Sequence, residues 1–147
     1  MQIRFEDRDS FRVFGYAIET ILSSCDNDVG QLWEKHKDAL LALPESKSCL
    51  YGVMWYTESH KYFYHLGISS DTPFNNDMTV AVIPTAHFAV ATVPDGMDTV
   101  EAWTLYFEKE LPSLGCTPDA EHGMYFESYR ADGICELWTP VIQSNPY

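Results

Sequence analysis

Basic side chains are scarce in this chain: nine Lys and Arg stand against 22 Asp and Glu, for a formal net charge of -13. A surface of that sign repels phosphate backbones and has no basic stripe to release counterions, which excludes nucleic acid as a direct partner. The shortage deepens along the chain. Positions 1–75 carry eleven acids and seven bases, whereas positions 76–147 carry eleven acids and only Lys109 and Arg130. Long apolar runs are missing too. The longest uncharged stretch, Met78 to Pro94, falls short of a membrane span and is broken by Pro84 and His87, so it predicts two strands and no membrane partner. Met1 to Ser10 mixes charges of both signs without the apolar centre of a secretory leader, from which a cytoplasmic location is expected. Cys25, Cys49, Cys116 and Cys135 form neither a CxxC pair nor a zinc-ligand spacing. They are expected to be buried, reduced thiols, with no metal and no cofactor. No nucleophile elbow or phosphate-binding glycine loop occurs, and no catalytic residue is assigned.

What the chain has in quantity is apolar and aromatic material: 46% hydrophobic residues over 147 positions, with four Trp and nine Tyr. That is enough for one globular domain over 1–147 with a sizeable core. A β-rich pattern runs from Phe11 to Glu19. Asp26 to Asp28 then supply helix-start residues, followed by Val29, Leu32, Trp33, His36 and Leu40 at helical spacing, stopped by Pro44. Leu50 to Tyr56 and Tyr62 to Ile68 read as a hairpin across the polar turn 57–61. After the loop 69–77 the order begins again, with strands Val80 to Ile83 and His87 to Val93. A helix follows, with Asp98 and Glu101 at capping-box spacing and Val100, Trp103, Phe107 and Leu111 at helical intervals; Pro112 and Gly115 are read as ending it. Met124 to Tyr129 and Ile134 to Val141 form a last hairpin around Asp132-Gly133.

The halves, about 1–75 and 76–147, superpose with Gly15 on Ala86, Trp33 on Trp103, Tyr56 on Tyr129 and Gly67 on Pro140. The expected fold is therefore α+β: duplicated βαββ units with pseudo-twofold symmetry, antiparallel sheets with helices on one face, and a ligand surface on the other with a central cleft at the seam.

Strand alternation divides the last hairpin into an apolar set (Met124, Phe126, Cys135, Leu137) and an aromatic and acidic set: Tyr125, Glu127, Tyr129, Glu136 and Trp138. The first-half counterparts of Glu127, Glu136 and Trp138 are Met54, Phe63 and His65, so the carboxylates belong to one half and an asymmetric pocket is implied. Glu127, set among rings, must be solvated, hydrogen-bonded, protonated or matched by a cation. The candidate ligand-binding residues are Glu127, Tyr129, Tyr125, Trp138, Glu136, Met54, Tyr56, His65 and Phe63. Two or three cation–π contacts beside such a carboxylate would favour positive organic ligands. His36, His65 and His87 are read as packed or hydrogen-bonded side chains.

Over nearly its whole length the chain resembles the gyrase-inhibitor-like domain, found also as the effector-binding part of AraC-type and BmrR-type multidrug-responsive regulators. The residues carrying the resemblance are Ile83-Pro84 leading into His87-Phe88-Ala89-Val90, the helix around Trp103, Leu111-Pro112, Phe126-Glu127-Ser128-Tyr129, and Glu136-Leu137-Trp138-Thr139-Pro140-Val141. Within that family it is most similar to the short integron-associated effector-binding proteins. The resemblance implies a pocket for small hydrophobic, often cationic, organic compounds, with Glu127 as its central acid. It also implies a role in transcription regulation; no spare length for a helix-turn-helix segment is expected before Phe11 or after Val141, so a separate transcription regulator is an expected partner, as is a second copy of the chain. Two alternatives stay open: a glutamate-dependent hydrolase of strained-ring electrophiles, with Glu127 and Tyr129 as acid and base, and a protein-interaction module of gyrase-inhibitor type.

Overall fold

A computed structural model describes residues 1–142 apart from positions 22, 48, 57–60, 74 and 120–123, and apart from the side chain of Tyr56. Among the described residues nine strands and three α-helices, the third a single turn, follow in the order β1 (Ile3–Arg8), β2 (Phe11–Ile21), α1 (Cys25–Leu41), β3 (Cys49–Tyr56), β4 (Lys61–Ser69), β5 (Thr79–Ile83), β6 (Ala86–Thr92), α2 (Thr99–Leu105), α3 (Leu111–Ser113), β7 (Thr117–Pro118), β8 (Tyr125–Arg130) and β9 (Cys135–Ile142). A 3-10 turn, Pro44–Ser46, follows α1, and a π-helical turn, Tyr106–Glu110, joins α2 to α3.

The strands run β1-β6-β9-β8-β3-β4-β2-β5, all antiparallel, with β7 added on β9. Read outward from the β3–β8 pair the order is symmetric. The unit β2-α1-β3-β4 lies on one side and β6-α2-β8-β9 on the other, as the repeat in the sequence requires. Each leading strand crosses to the opposite unit: β1 pairs with β6, and β5 with β2. Only Asp9-Ser10 separates β1 from β2, and only Pro84-Thr85 separates β5 from β6, so the ends of the sheet must curl toward each other. The Ser10 amide donating to Thr85 Oγ1 at 2.9 Å ties the two crossing links together.

The curled face encloses one core of Val13, Val53, Ala81, Ile83, Phe88, Val90, Phe126 and Trp138. On the outer, helix-bearing face α1 lays Leu32 and Leu40 on Leu50, Met54, Tyr62, Tyr64, Leu66 and Ile68, while α2 and its extension lay Ala102, Tyr106 and Leu111 on Ala89, Ala91, Leu137 and Val141. Burial of these side chains is the main stabilising term, at roughly 1.5–3 kcal/mol for each large one.

The structure departs from the sequence reading at several places. Strand β1 lies in a segment read only as charged; Ile3 and Phe5 alternate there with Arg4, Glu6 and Arg8, whose long side chains mask a β pattern. The second helix passes through Pro112 and ends at Gly115, which sits at φ +70°. Pro112 has no N–H, and its ring would crowd the carbonyl four residues back. The π turn relieves that crowding, with the Leu111 amide donating to the Tyr106 carbonyl. The one-residue expansion keeps both Tyr106 and Leu111 on the sheet. Asp98 stands at the helix start but makes no side-chain capping bond. The cysteines are free yet only partly buried. The turn expected over 57–61 lies, but for Lys61, outside the described residues.

Candidate functional site

At the seam β3 and β8 pair with Gly52 opposite Glu127. The glycine makes the site feasible: a Cβ there would stand 1.9 Å from Tyr64 Oη and 3.0 Å from Glu127 Oε1. Glu127 is 5% exposed. Its Oε1 accepts from Tyr129 Oη at 2.7 Å and Tyr64 Oη at 2.9 Å, and its Oε2 accepts from Trp103 Nε1 at 2.8 Å. Trp33 Nε1 donates in turn to Tyr64 Oη at 3.1 Å. The paired tryptophans of the two helices therefore converge on one carboxylate, Trp103 directly and Trp33 through a phenol whose own O–H is polarised by accepting that bond.

All three donors to Glu127 are neutral, and among the described residues no ion-pair partner faces it. Burial pushes its carboxyl above the ordinary 4.5, while the three hydrogen bonds pull the other way. Burial and the nearby carboxylate hold the Tyr64 and Tyr129 phenols well above their usual range, so both remain donors. Burial, aided by Glu127, pushes the Cys135 thiol up to about 12 and leaves it unreactive.

Around this network the two helices and the seam strands enclose a cleft of two adjoining lobes. The inner one, of about 380 Å³, is lined by Val29, Gly30, Trp33, Tyr64, Asp98, Thr99, Glu127 and Tyr129. The outer one, of about 530 Å³, is lined by Thr104, Phe107, Glu108 and Tyr125. Cys25, Asp26, Met54, Tyr62, Val100 and Trp103 border both. Among the described residues the lining holds four carboxylates, Asp26, Asp98, Glu108 and Glu127, and no Lys, Arg or His. Volume and lining suit a small organic molecule.

Of the expected site residues, the structure brings Glu127, Tyr129, Tyr125 and Met54 together here; the Tyr56 side chain lies outside those described. Glu136, Trp138, His65 and Phe63 are on the opposite face, and the expected separation of ligand surface from helices is corrected likewise, because Glu127 lies between the helices. For Glu136 and Trp138 the cause is the last turn. A two-residue Asp132-Gly133 turn would pair odd with even positions across the hairpin. The observed register sets Phe126 opposite Trp138 and Tyr129 opposite Cys135. Three residues, 131–133, form the loop, and Gly133 takes the left-handed conformation at φ +87°. Glu127 therefore shares its face with Leu137, and Glu136 shares its face with Phe126.

On the enclosed face Glu136 is ion-paired with Arg4. Trp138 donates to Ser128 Oγ at 3.1 Å and stacks on Phe126. Phe63 stacks on Trp55. His36 stacks on Tyr16, and His87 meets Asp7 at 2.7 Å. His65 is 1% exposed, its Nε2 has no partner among the described residues, and burial lowers its pKa from 6.5 to about 4.

That burial predicts a pH dependence of stability. A histidine held neutral in the fold binds fewer protons than in the unfolded chain between the two values, so its contribution is complete above pH 6.5 and is lost as pH falls toward 4. The loss is on the order of 3 kcal/mol. Urea unfolding of wild type and a His65→Leu variant at pH 7 and pH 4.5 checks it: the wild type should lose more stability than the variant, and equal losses would remove His65 as the cause.

The residues missed by sequence reasoning are Trp33, Trp103, Tyr62 and Tyr64. Trp33 and Trp103 were visible as matched positions of the repeat. The usable signal was that each indole N–H needs an acceptor when buried.

Comparison with known proteins places this geometry. The model of the integron-associated effector-binding proteins matches residues 4–141. Curated proteins give no match. Among solved structures, SAV2435 bound to tetraphenylphosphonium is similar at a TM-score of 0.74 and 13% identity, covering 97% of this chain and 94% of that one. An integron cassette protein of Vibrio cholerae gives 0.70 and 18%, covering 95% of each chain. The C-terminal domain of EcmrR gives 0.63 and 14%, covering 97% and 98%. At these identities the structures show a shared fold.

Proposed function

The chain belongs to the integron-associated effector-binding proteins, and from that membership and the cleft we propose that it binds hydrophobic organic cations at Glu127. The observation that carries this is a buried carboxylate with three neutral hydrogen-bond donors and no positive partner among the described residues. A charge in low dielectric without a counter-ion is costly, and a cation entering the cleft supplies the missing term. The rings of Trp33, Trp103, Tyr64 and Tyr129 add cation–π and dispersion contacts, and Asp26, Asp98 and Glu108 raise the local concentration of positive ligands. SAV2435, of the same fold, carries tetraphenylphosphonium, a lipophilic monocation; that supports the ligand class without assigning a ligand here. In this reading the chain acts as an effector-binding module that does not itself contact DNA, and a separate regulator would read its occupancy.

Thermal unfolding tests the proposal. Lipophilic cations should raise the melting temperature more than neutral molecules of the same shape, because burial is common to both and charge complementarity is not. Equal shifts for matched pairs would count against it. DNA binding supplies a second check: no shift of duplex DNA is expected at physiological salt, and a salt-sensitive submicromolar complex would contradict the surface charge argument.

A further inference from the structure

The cleft's two lobes differ in chemistry. The inner one ends on the buried carboxylate and its phenol and indole donors. The outer one is floored by Tyr125 and walled by Phe107, whose ring stacks on Trp103 at 5.3 Å and 16° and meets Tyr125 edge-on at 5.6 Å and 86°. Phe107 is 38% exposed and Val100 53% exposed, so large apolar surface at this lobe stays in contact with water. The acids bordering it, Asp26 and Glu108, are exposed and solvated, as is Asp98 of the inner lobe, whereas Glu127 is buried. The shared wall is adaptable. Met54 is an unbranched thioether whose sulfur accepts from Tyr62 Oη at 3.5 Å, and both side chains line the cavity. The π turn sets this wall by turning Tyr106 and Leu111 to the sheet and Phe107 to the cleft.

We propose that the cleft is bipartite and selects amphiphilic monocations, the positive head at Glu127 in the inner lobe and an apolar arm crossing Trp103 into the outer lobe against Phe107 and Tyr125. One positive charge is matched because one carboxylate is buried and unpaired; a second charge on the ligand would meet only water-screened acids. The head rests on the cation reading above, while the arm rests on the outer lobe's own lining. Phe107 is the residue that sets arm length.

A series of alkyltrimethylammonium ions from methyl to decyl, titrated below micelle-forming concentration, separates the two parts. Affinity should rise about two- to fourfold per added methylene until the outer lobe is filled. Phe107→Ala should lower the decyl-to-methyl affinity ratio at least fivefold, and Glu127→Gln should weaken every member by a common factor. If affinity is flat along the series while Glu127→Gln still weakens it, the arm is wrong and the cation reading stands. If affinity rises with chain length but ignores Glu127→Gln, the head is misplaced and the proposal falls. Should Phe107→Ala fail to fold by its melting curve, Phe107→Leu replaces it, with an expected loss of at least twofold in the ratio; an unchanged ratio in a folded variant overturns the role of Phe107.

Discussion

Glu127→Gln should weaken binding of a lipophilic cation by about 1–3 kcal/mol, roughly five- to 150-fold, while leaving the fold as stable as before or more so. The amide keeps the shape of the carboxylate and an oxygen to accept from the Trp103 N–H, and turns its NH2 toward the Tyr64 and Tyr129 hydroxyls, which can rotate to accept; the charge is removed, and that range is the worth of a charge-assisted contact over a neutral one. The stability sign follows from linkage. Burial raises the folded-state pKa of this carboxyl above 4.5, so the folded protein holds the proton more tightly than the unfolded chain, and ionisation weakens the fold as pH rises through the shifted value. The glutamine escapes that cost. The same shift makes cation affinity of the wild type fall with decreasing pH above the ordinary carboxylate range, as protonation removes the partner. Glu136→Gln is the control. It should not change ligand affinity, because Glu136 is on the enclosed face beside Arg4, but it should lower stability modestly, because the guanidinium then keeps only its exposed pair with Glu6. Calorimetric titration of both variants, with urea unfolding alongside, checks every sign.

The largest effect on folding is expected at Gly15. It pairs with Gly67 across β2 and β4, and a Cβ on it would lie 1.9 Å from the Leu66 carbonyl oxygen and 2.6 Å from the Gly67 Cα. These are backbone atoms, which no rotamer change can move away. Gly15→Ala should therefore cost roughly 4 kcal/mol or more, the range reached only when packing is directly broken. Gly30→Ala supplies the contrast. A Cβ there meets nothing within 4 Å, and in the interior of α1 the change should stabilise by about 0.5–1 kcal/mol. Equal midpoints in urea for the two variants would show that the β2–β4 approach is looser than described.

The duplicated α+β plan was legible because it rests on local signals: helical spacing through Trp33 and Trp103, aromatic alternation in the hairpins, and a near-constant offset between halves. Glu127 was legible for the same reason, as an acid placed among rings. What stayed hidden depends on backbone geometry that residue types do not determine. Asp132-Gly133 suits a two-residue turn as well as the three-residue loop observed, and that one-residue difference transfers Glu136 and Trp138 to the other face. Likewise, the pattern of residues 1–8 gives no sign that β1 pairs with a strand some 80 positions away, because that pairing depends on the curl of the whole sheet. Tyr64 was read only as part of a strand, since its role comes from Gly52 opposite Glu127 and from α1 lying above it.

The central claim, that a charge on the ligand is matched by the charge on Glu127, is tested most directly by a cycle that removes each in turn. Phenyltrimethylammonium and tert-butylbenzene share a shape and differ in charge. Their affinities for wild type and for Glu127→Gln give the coupling between the two charges without reference to the shared apolar contacts. The account predicts that wild type prefers the ammonium ion at least fivefold over the hydrocarbon and that the preference collapses in the variant. A preference that survives in Glu127→Gln, or one that is absent from wild type, would contradict it.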